Sequence, residues 1–429
     1  MEQMDITTSR EMLEFIEKSP SAFHAIANGE KILKEKGFLR LSEGEAWKIE
    51  AGKSYYVTRN DSSLIAFRIP EKQEAKGFHI IASHSDSPTF KIKENPEMAA
   101  EKQYVVLNTE KYGGMILSTW MDRPLSVAGR IAIAGEDGIE TRLVDIDQDL
   151  LVIPNVAIHM NREMNKGVEY NPQVDMLPLY CSYEEDYKGT LLQKAAESAG
   201  VNAEDILGHD LFLYVRDKGR ILGADGEFVL SPKLDDLQSV FASLKAFTDS
   251  KPQDYINLCA VFDNEEVGSG TRQGADSTFL EDVLQRIGEG LSFGREKYLQ
   301  MVADSFLISA DNAHAVHPNH PEKADPTNRP YLNGGIVIKY HGSQKYTTDA
   351  ASAAKMKSIC KKAGVPCQTY ANRSDIAGGS TLGNISTAHV SLSSVDVGLP
   401  QLAMHSAVET AGCKDTGYAI RAFRLFYGE

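Results

Sequence analysis

The sequence has no apolar run near the roughly 20 residues that a helix needs to cross a bilayer. Its N-terminal stretch, Met1–Ile6, is acidic and lacks the apolar core of a secretory signal peptide. Cysteines are few, odd in number at five, and form no CxxC pair. These absences argue against a membrane span and a secreted disulfide framework, and they favour a reduced, cytoplasmic setting.

Positive charge is also scarce, since 45 lysines and arginines face 60 aspartates and glutamates, for a formal net charge of -15 at pH 7. Nucleic acids and anionic membranes bind basic surfaces, so neither is expected as a partner. An acidic substrate is not excluded, because a local basic pocket can override the global sign. With 429 residues, 42% of them hydrophobic, the chain is long enough for two domains.

The order of the predicted elements indicates an α/β domain that is split by a β-rich insert. Helix and strand patterns alternate at the start of the chain and again after Pro232. Between them, short β-rich runs follow one another, among them Leu150–Ile153, and only Gly189–Ala199 resembles a helix. A long amphipathic helix, Ala407–Phe426, is expected to close the chain. The predicted bounds are 1–93 and 223–429 for the α/β domain and 94–222 for the insert.

Two buried strands are predicted to end abruptly in polar residues. The apolar run Ile256–Phe262 is followed by Asp263–Glu266, and the run Gly77–Ser83 is followed by His84–Pro88. Open α/β sheets bind their ligands beyond the carboxyl ends of the strands. Both polar stretches are therefore expected to lie at a ligand site.

The adjacent glutamates Glu265 and Glu266 are predicted to have different roles, because neighbouring residues on a strand point in opposite directions. One could bind a metal while the other moves a proton. A lone pair of glutamates is more often a solvated acidic turn. The hypothesis therefore depends on partners elsewhere in the chain.

Residues that commonly bind metals recur at the ends of predicted elements. They are His84, Asp235, Glu266, Asp311 and His405. Imidazole and carboxylate together suit Zn²⁺, Mn²⁺ or Co²⁺, and the lack of cysteine ligands favours a catalytic site. Two ions about 3.5–4 Å apart need one shared carboxylate and roughly two further ligands each. The five residues meet that count with Asp235 as the bridge.

Five motifs in the chain carry a resemblance to a known family. They are His84–Pro88, Pro232–Asp236, Asp263–Ser269, Ser309–Asn319 and Gln401–Ser406, joined in the insert by Tyr112–Gly114 and Trp120–Leu125. In this order they resemble the family of dinuclear zinc peptidases that holds aspartyl aminopeptidase and vacuolar aminopeptidase I. The resemblance runs from about residue 20 to the C-terminus. It implies a zinc-peptidase-like α/β catalytic domain, with a mixed sheet flanked by helices, interrupted by a β-rich dimerisation domain.

The resemblance also implies how two divalent metal ions are held, Zn²⁺ first among the candidates and Mn²⁺ or Co²⁺ as alternatives. His84, Asp311 and the bridging Asp235 would bind one ion. Glu266, His405 and the same aspartate would bind the other.

Two further carboxylates match the family's catalytic positions. Glu265 matches the general base, and Asp86 matches the carboxylate that orients the ligand imidazole, which fixes its tautomer. One departure is that eukaryotic members tend to read Arg-Leu-Asp-Asn where this chain has Lys233–Asp236. Asp236 itself is expected to begin a helix and to take no part in the site.

Three residues are candidates for binding the substrate, each with a plainer alternative. His314 either polarises the scissile carbonyl or is structural. Lys339, at the end of an apolar strand, either reads an acidic side chain or is a solvated lysine. His159, in a polar loop without periodicity, either reaches the active site of a neighbouring subunit, as a similar family histidine implies, or holds the subunit interface.

The implied function is that of a metal-dependent aminopeptidase which removes the N-terminal residue of short peptides, with acidic residues as a candidate preference. The alternatives are a di-metal glutamyl aminopeptidase or deacylase on the same scaffold, and a non-catalytic assembly or cargo protein that has kept the fold. The implied partners are peptide substrates and further copies of the chain, as dimers that build a dodecamer-like assembly.

Overall fold

The computed structural model describes residues 3–72, 74–136 and 138–429, and Met1, Glu2, Gln73 and Asp137 lie outside it. The chain divides into two compact units. The first holds the residues up to Asp86 together with Gly219–Met404 and Glu409–Glu429, and the second holds Ser87–Lys218 and His405–Val408. Among the described helices, none combines the length and apolar character that a bilayer crossing requires.

The helices and strands of the described residues are numbered in chain order. The helices are α1 Gln3–Glu17, α2 Ala22–Glu35, α3 Thr190–Ala199, α4 Leu234–Asp249, α5 Phe279–Gly290, α6 Arg295–Ala303, α7 Ala350–Ala363, α8 Leu382–His389 and α9 Asp415–Tyr427. The strands are β1 Leu39–Arg40, β2 Ser54–Arg59, β3 Ser63–Arg68, β4 Phe78–His84, β5 Thr89–Ala100, β6 Tyr104–Tyr112, β7 Leu125–Gly135, β8 Gly138–Asp145, β9 Leu179–Ser182, β10 Ile206–Val215, β11 Arg220–Leu222, β12 Phe228–Ser231, β13 Ile256–Phe262, β14 Phe306–Ala310, β15 Ala313–His314, β16 Ile336–Tyr340, β17 Cys367–Ala371, β18 Ser393–Gly398, β19 Pro400–Leu402 and β20 Glu409–Gly412.

A nine-stranded mixed sheet is the centre of the first unit, in the order β1-β2-β3-β13-β4-β14-β18-β16-β17. The four strands β13, β4, β14 and β18 run parallel to one another. Every residue of β4, β13 and β14 is buried, as expected for parallel strands covered on both faces. The predicted mixed sheet flanked by helices is confirmed.

Alternate side chains of this sheet enter two separate hydrophobic cores, because successive residues of a strand point to opposite faces. Ile81 and Cys259 pack in a core with residues of α1, α2, α4, α7 and α9. Ile80 and Leu258 pack in a second core with residues of α5, α6 and α8. The sheet therefore lies between two layers of helices. Helix α4 is buried over nearly its whole length, which holds its first residues firmly beside the sheet.

A second, five-stranded sheet of the first unit has the order β11-β12-β20-β19-β15. Its strands are short, and they carry His314, Gln401 and Glu409 at fixed positions.

The second unit is built on a six-stranded sheet in the order β8-β7-β10-β5-β6-β9. All of its pairs are antiparallel, and one face packs with α3 over its own hydrophobic core. This is the β-rich texture that the sequence predicts for the insert.

Two predicted elements differ from the structure. Leu150–Ile153 forms isolated bridges through Leu151 and Val152 rather than a strand. The predicted C-terminal helix starts too early, since 409–412 forms β20 between β12 and β19 and the helix begins only at Asp415. The apolar spacing of this segment favours a helix. The segment is nevertheless a strand, because its backbone pairs with β12 and β19. Gly412 is needed in it, as an added Cβ would lie 2.4 Å from the backbone nitrogen of Asn333.

Candidate metal centre

The parallel strands of the large sheet bring the predicted ligands of the first unit to one edge. His84 is the last residue of β4 and pairs with Phe262, the last residue of β13. A 3-10 turn, Glu265–Val267, follows β13 directly. Asp311 follows β14, which lies on the other side of β4. The carboxyl ends of three neighbouring strands therefore supply an imidazole and three carboxylates, as the sequence predicts.

The start of α4 adds two more carboxylates to this edge. Asp235 and Asp236 lie within the helix bounds but have non-helical backbone angles, and the peptide bond between them is cis. The residue before the helix, Lys233, has a left-handed conformation with φ 55. Both aspartates are buried.

The closest set of ligand atoms surrounds the imidazole of His84. Its Nε2 lies 3.5 Å from Asp235 Oδ1, 3.8 Å from Asp311 Oδ1 and 3.9 Å from Asp236 Oδ2. One ligand atom from each of these four residues lies within 4.8 Å of all the others. His84, Glu265 and Glu266 form a second such group. Imidazole and carboxylate oxygens at this spacing fit divalent cations such as Zn²⁺.

The electrostatics of the cluster also fit a cation. Burial raises the pKa of Asp236 well above its usual value, and the neighbouring Asp311 and Asp235 add to the shift. Burial likewise raises the pKa of Glu265. Burial disfavours the charged imidazole of His84, yet Asp236, Asp235 and Asp311 outweigh it and raise its pKa. The cluster thus favours positive charge at its centre, which a divalent ion would supply.

Asp86 connects the two groups. Its carboxylate accepts the backbone N–H of Glu265 on Oδ1 and that of Glu266 on Oδ2, each at 3.1 Å. The Nδ1 atom of His84 lies 3.1 Å from the Asp86 carbonyl oxygen and 3.4 Å from its Oδ1. One residue therefore fixes both the ring of His84 and the turn that carries the two glutamates. The contacts to the glutamate turn were not foreseen from the sequence.

Two acidic residues that the sequence does not predict as part of the site also contact ligand residues. Glu409 is buried, and its Oε2 accepts the backbone N–H of Asp235 at 2.9 Å. Asp236 accepts the backbone N–H of His84 on Oδ2 at 3.2 Å, and its Oδ1 has no hydrogen-bond partner among the described residues. The expectation that Asp236 simply begins the helix is therefore wrong, because the chain turns before the regular helix and buries this carboxylate among the ligands.

Lys339 and His314, the candidate substrate-binding residues of the first unit, have contrasting surroundings. Lys339 is buried, with Nζ 3.3 Å from Asp311 Oδ2 and 5.4 Å from the centre of the Tyr346 ring. Burial opposes its charge, but Asp311 and Tyr346 raise its pKa above the usual value. The alternative of a solvated lysine is therefore wrong. His314 is exposed on β15, with its ring centre 5.9 Å from that of Tyr370.

His405 and His159 belong to the second unit. The Nδ1 atom of His405 lies 2.9 Å from the carbonyl oxygen of Gly114, so a metal would be bound through Nε2. His159 is exposed, in a stretch between β8 and β9 where the described residues form little regular structure. Metal binding by His405 and substrate binding by His159 remain predictions.

Comparisons with known proteins give a consistent result over the whole chain. The profile of a family described as Aminopeptidase I zinc metalloprotease (M18) matches residues 15–427. A probable M18 family aminopeptidase 2 from Clostridium novyi (strain NT) is 49% identical over 427 residues, which cover 98% of this chain and 99% of that relative.

Solved structures agree with the sequence matches. A chain in the cryo-EM structure of the Ape4 and Nbr1 complex has a TM-score of 0.94 and 37% identity, covering 100% of this chain and 87% of that chain. The structure of the S. cerevisiae mApe1 dodecamer has a TM-score of 0.86 and 27% identity, covering 99% of this chain and 97% of that chain.

Proposed function

Because the chain belongs to the M18 family of aminopeptidase I zinc metalloproteases and is a metalloaminopeptidase, we propose that it uses two divalent metal ions to remove acidic N-terminal residues from short peptides. The resemblance that the motifs carry is thereby confirmed as family membership. The observation that carries the proposal is that buried His84 lies at one sheet edge in a group with Asp235 and Asp311 and in a second group with the half-buried glutamate pair.

We assign the five ligands as the resemblance implies. His84, Asp311 and Asp235 would hold one ion, and Asp235, Glu266 and His405 the other. When bound, two such ions supply a Lewis acid for the peptide carbonyl and lower the pKa of a water molecule.

Glu265 is the proposed proton carrier. Its carboxylate takes the proton of the attacking water and returns it to the amine of the departing peptide. The Asp86 carboxylate accepts the backbone N–H of Glu265 and also lies beside the His84 ring. Asp86 therefore positions both the backbone of the proposed base and the imidazole of the proposed ligand. General-base function needs a carboxylate beside the bound water, and Glu265 is the glutamate to which the metal assignment gives no ligand role.

The experiment that tests the function is a panel of aminoacyl amides, assayed with and without a chelator. We expect hydrolysis of aspartyl and glutamyl substrates first, loss of activity with the chelator and recovery with added Zn²⁺, Mn²⁺ or Co²⁺. Acylated and carboxyl-terminal substrates in the same panel address the deacylase alternative, and hydrolysis of those alone would replace the proposal. A pure protein that binds no metal and hydrolyses nothing would favour the assembly or cargo alternative.

Lys339 is the proposed determinant of an acidic preference, since it is a buried cation in contact with Asp311. We predict that Lys339→Met lowers kcat/KM for glutamyl amide, relative to alanyl amide, by about tenfold or more, because a hydrogen bond to a charged group contributes about 1.5–3 kcal/mol. The measurement is the ratio of the two kcat/KM values in metal-loaded protein. An equal loss on both substrates, with full metal content, would mean that Lys339 supports Asp311 and does not read the substrate.

Self-association is part of the proposal. S. cerevisiae mApe1, at 27% identity, is described as a dodecamer. We propose that this chain also forms a closed assembly and that His159 contributes a hydrogen-bond donor to the active site of a neighbouring subunit. His314 is proposed to contact the scissile carbonyl.

A complementation experiment tests the role of His159. We predict that inactive His159→Ala subunits mixed with inactive Glu265→Gln subunits regain part of the activity, because some sites then combine an intact base with an intact histidine. Mixing must be verified, for example by two affinity tags recovered together. If verified mixed assemblies stay inactive, His159 does not act across the interface.

A further inference from the structure

A buried asparagine lies directly beside the ligand Asp311. The side chain of Asn312 is 2% exposed, and the two N–H groups of its Nδ2 are shared among three oxygen atoms. These are the carbonyl oxygen of Leu234 at 2.9 Å, Gln238 Oε1 at 3.0 Å and Gln401 Oε1 at 2.9 Å. The Asn312 Oδ1 accepts from Ser239 Oγ at 3.3 Å. Every polar atom of this amide is therefore used.

The contacts of Asn312 connect the chain positions that precede and follow two ligands. Leu234 is the residue before Asp235, and Asn312 is the residue after Asp311. The bond between Nδ2 and the Leu234 carbonyl thus ties the start of α4 to the end of β14. Asp235 has non-helical backbone angles at this point, so no regular helix bond defines its position.

Neighbouring contacts support this connection. Gln238, one turn into α4, donates from Nε2 to Thr416 Oγ1 of α9 at 3.0 Å. Gln401, which lies on β19 and is 1% exposed, accepts a hydrogen bond from the Asn312 amide. The backbone at Asp311 also packs tightly on Gly398, where an added Cβ would lie 2.2 Å from the Asp311 carbonyl oxygen. The turn after β14 therefore packs closely against the end of β18.

We propose that Asn312 is a positioning residue that sets the separation of the Asp235 and Asp311 carboxylates and, through it, the affinity of the centre for its metal. This inference rests on the proposed metal site. Asn312 does not itself contact the metal or the substrate; it acts through the two backbone segments that it joins. Removing the amide should lower the metal affinity even where the protein still folds. Substitution of residues that hold metal ligands in place commonly lowers metal affinity by about 10–100-fold.

The test compares the zinc affinity of the full chain with that of Asn312→Ala. Zinc-loaded protein is titrated with a chromophoric chelator of known affinity, and thermal unfolding is followed in parallel. The matched control is Asn257→Ala, since Asn257 is also fully buried in the sheet and donates from Nδ2 to the Tyr427 carbonyl oxygen at 2.7 Å. We expect both variants to lose stability but only Asn312→Ala to lose zinc about 10–100-fold more readily.

Other outcomes are decisive as well. Equal zinc affinity in Asn312→Ala and the full chain would overturn the inference, as would an equal loss in Asn257→Ala. If Asn312→Ala does not fold, Asn312→Ser retains one donor in a smaller cavity and should bind zinc more weakly than the full chain; unchanged binding overturns the inference. The variant His84→Ala tests the proposed metal site separately from the role of Asn312. Unchanged zinc binding in that variant would refute the metal site itself.

Discussion

Glu265→Gln is expected to lower turnover by at least ~10²-fold while metal content stays unchanged. Glutamine keeps the shape of the side chain and cannot accept the proton of the attacking water. Glu265 lies within the same group of ligand-type atoms as His84 and Glu266, so its carboxylate is close enough to serve the same bound water. The measurements are kcat on an aspartyl or glutamyl amide and the metal content per chain.

Glu266→Gln is the matched control for this prediction. It makes the same change at the adjacent residue, which is the proposed ligand, and should lose metal as well as activity. If Glu265→Gln loses zinc and Glu266→Gln keeps it, the two roles are exchanged. The backbone N–H groups of both residues bond to Asp86, so neither substitution removes the contact that holds the turn.

The edge of the sheet at which the site lies could be predicted from local sequence. β4 and β13 are short, fully buried apolar runs, and each ends in polar residues that have no role in a core. The rule that parallel strands bind ligands at their carboxyl ends then places His84 and Glu265 together. Asp311 follows from the same rule. These inferences need only the apolar pattern of one strand at a time.

The contacts that support the ligands could not be predicted in this way. Asn312 and Glu409 are joined to the start of α4 across 78 and 174 residues of sequence. Neither has a local pattern that distinguishes it from an ordinary polar residue. The role of Asp236 could not be predicted for a different reason. The sequence around it has the pattern of a helix start, which does not reveal the non-helical turn that buries Asp235 and Asp236. β20 could not be predicted because its partner β12 is distant in sequence and its partner β19 has a weak strand pattern.

Asp235→Asn is expected to release metal and to abolish activity. As the proposed bridge, Asp235 is the only residue assigned to both ions, so one substitution weakens both. Its Oδ1 is also the carboxylate oxygen nearest to His84 Nε2, at 3.5 Å. Loss of the metals would remove several kcal/mol of transition-state stabilisation, and about 4 kcal/mol corresponds to a ~10³-fold fall in turnover. Metal content per chain and kcat are measured on the same preparation.

Asp236→Asn is the isosteric control one residue along the chain. Its side-chain oxygen can still accept the backbone N–H of His84, which Asp236 Oδ2 accepts at 3.2 Å, so the strand end should keep its position. We therefore expect this variant to keep its metal and most of its activity. Two metals per chain in both variants would show that Asp235 is not the bridge. Metal loss in Asp236→Asn alone would instead make Asp236 a ligand, because asparagine keeps the size of the side chain and replaces only its carboxylate.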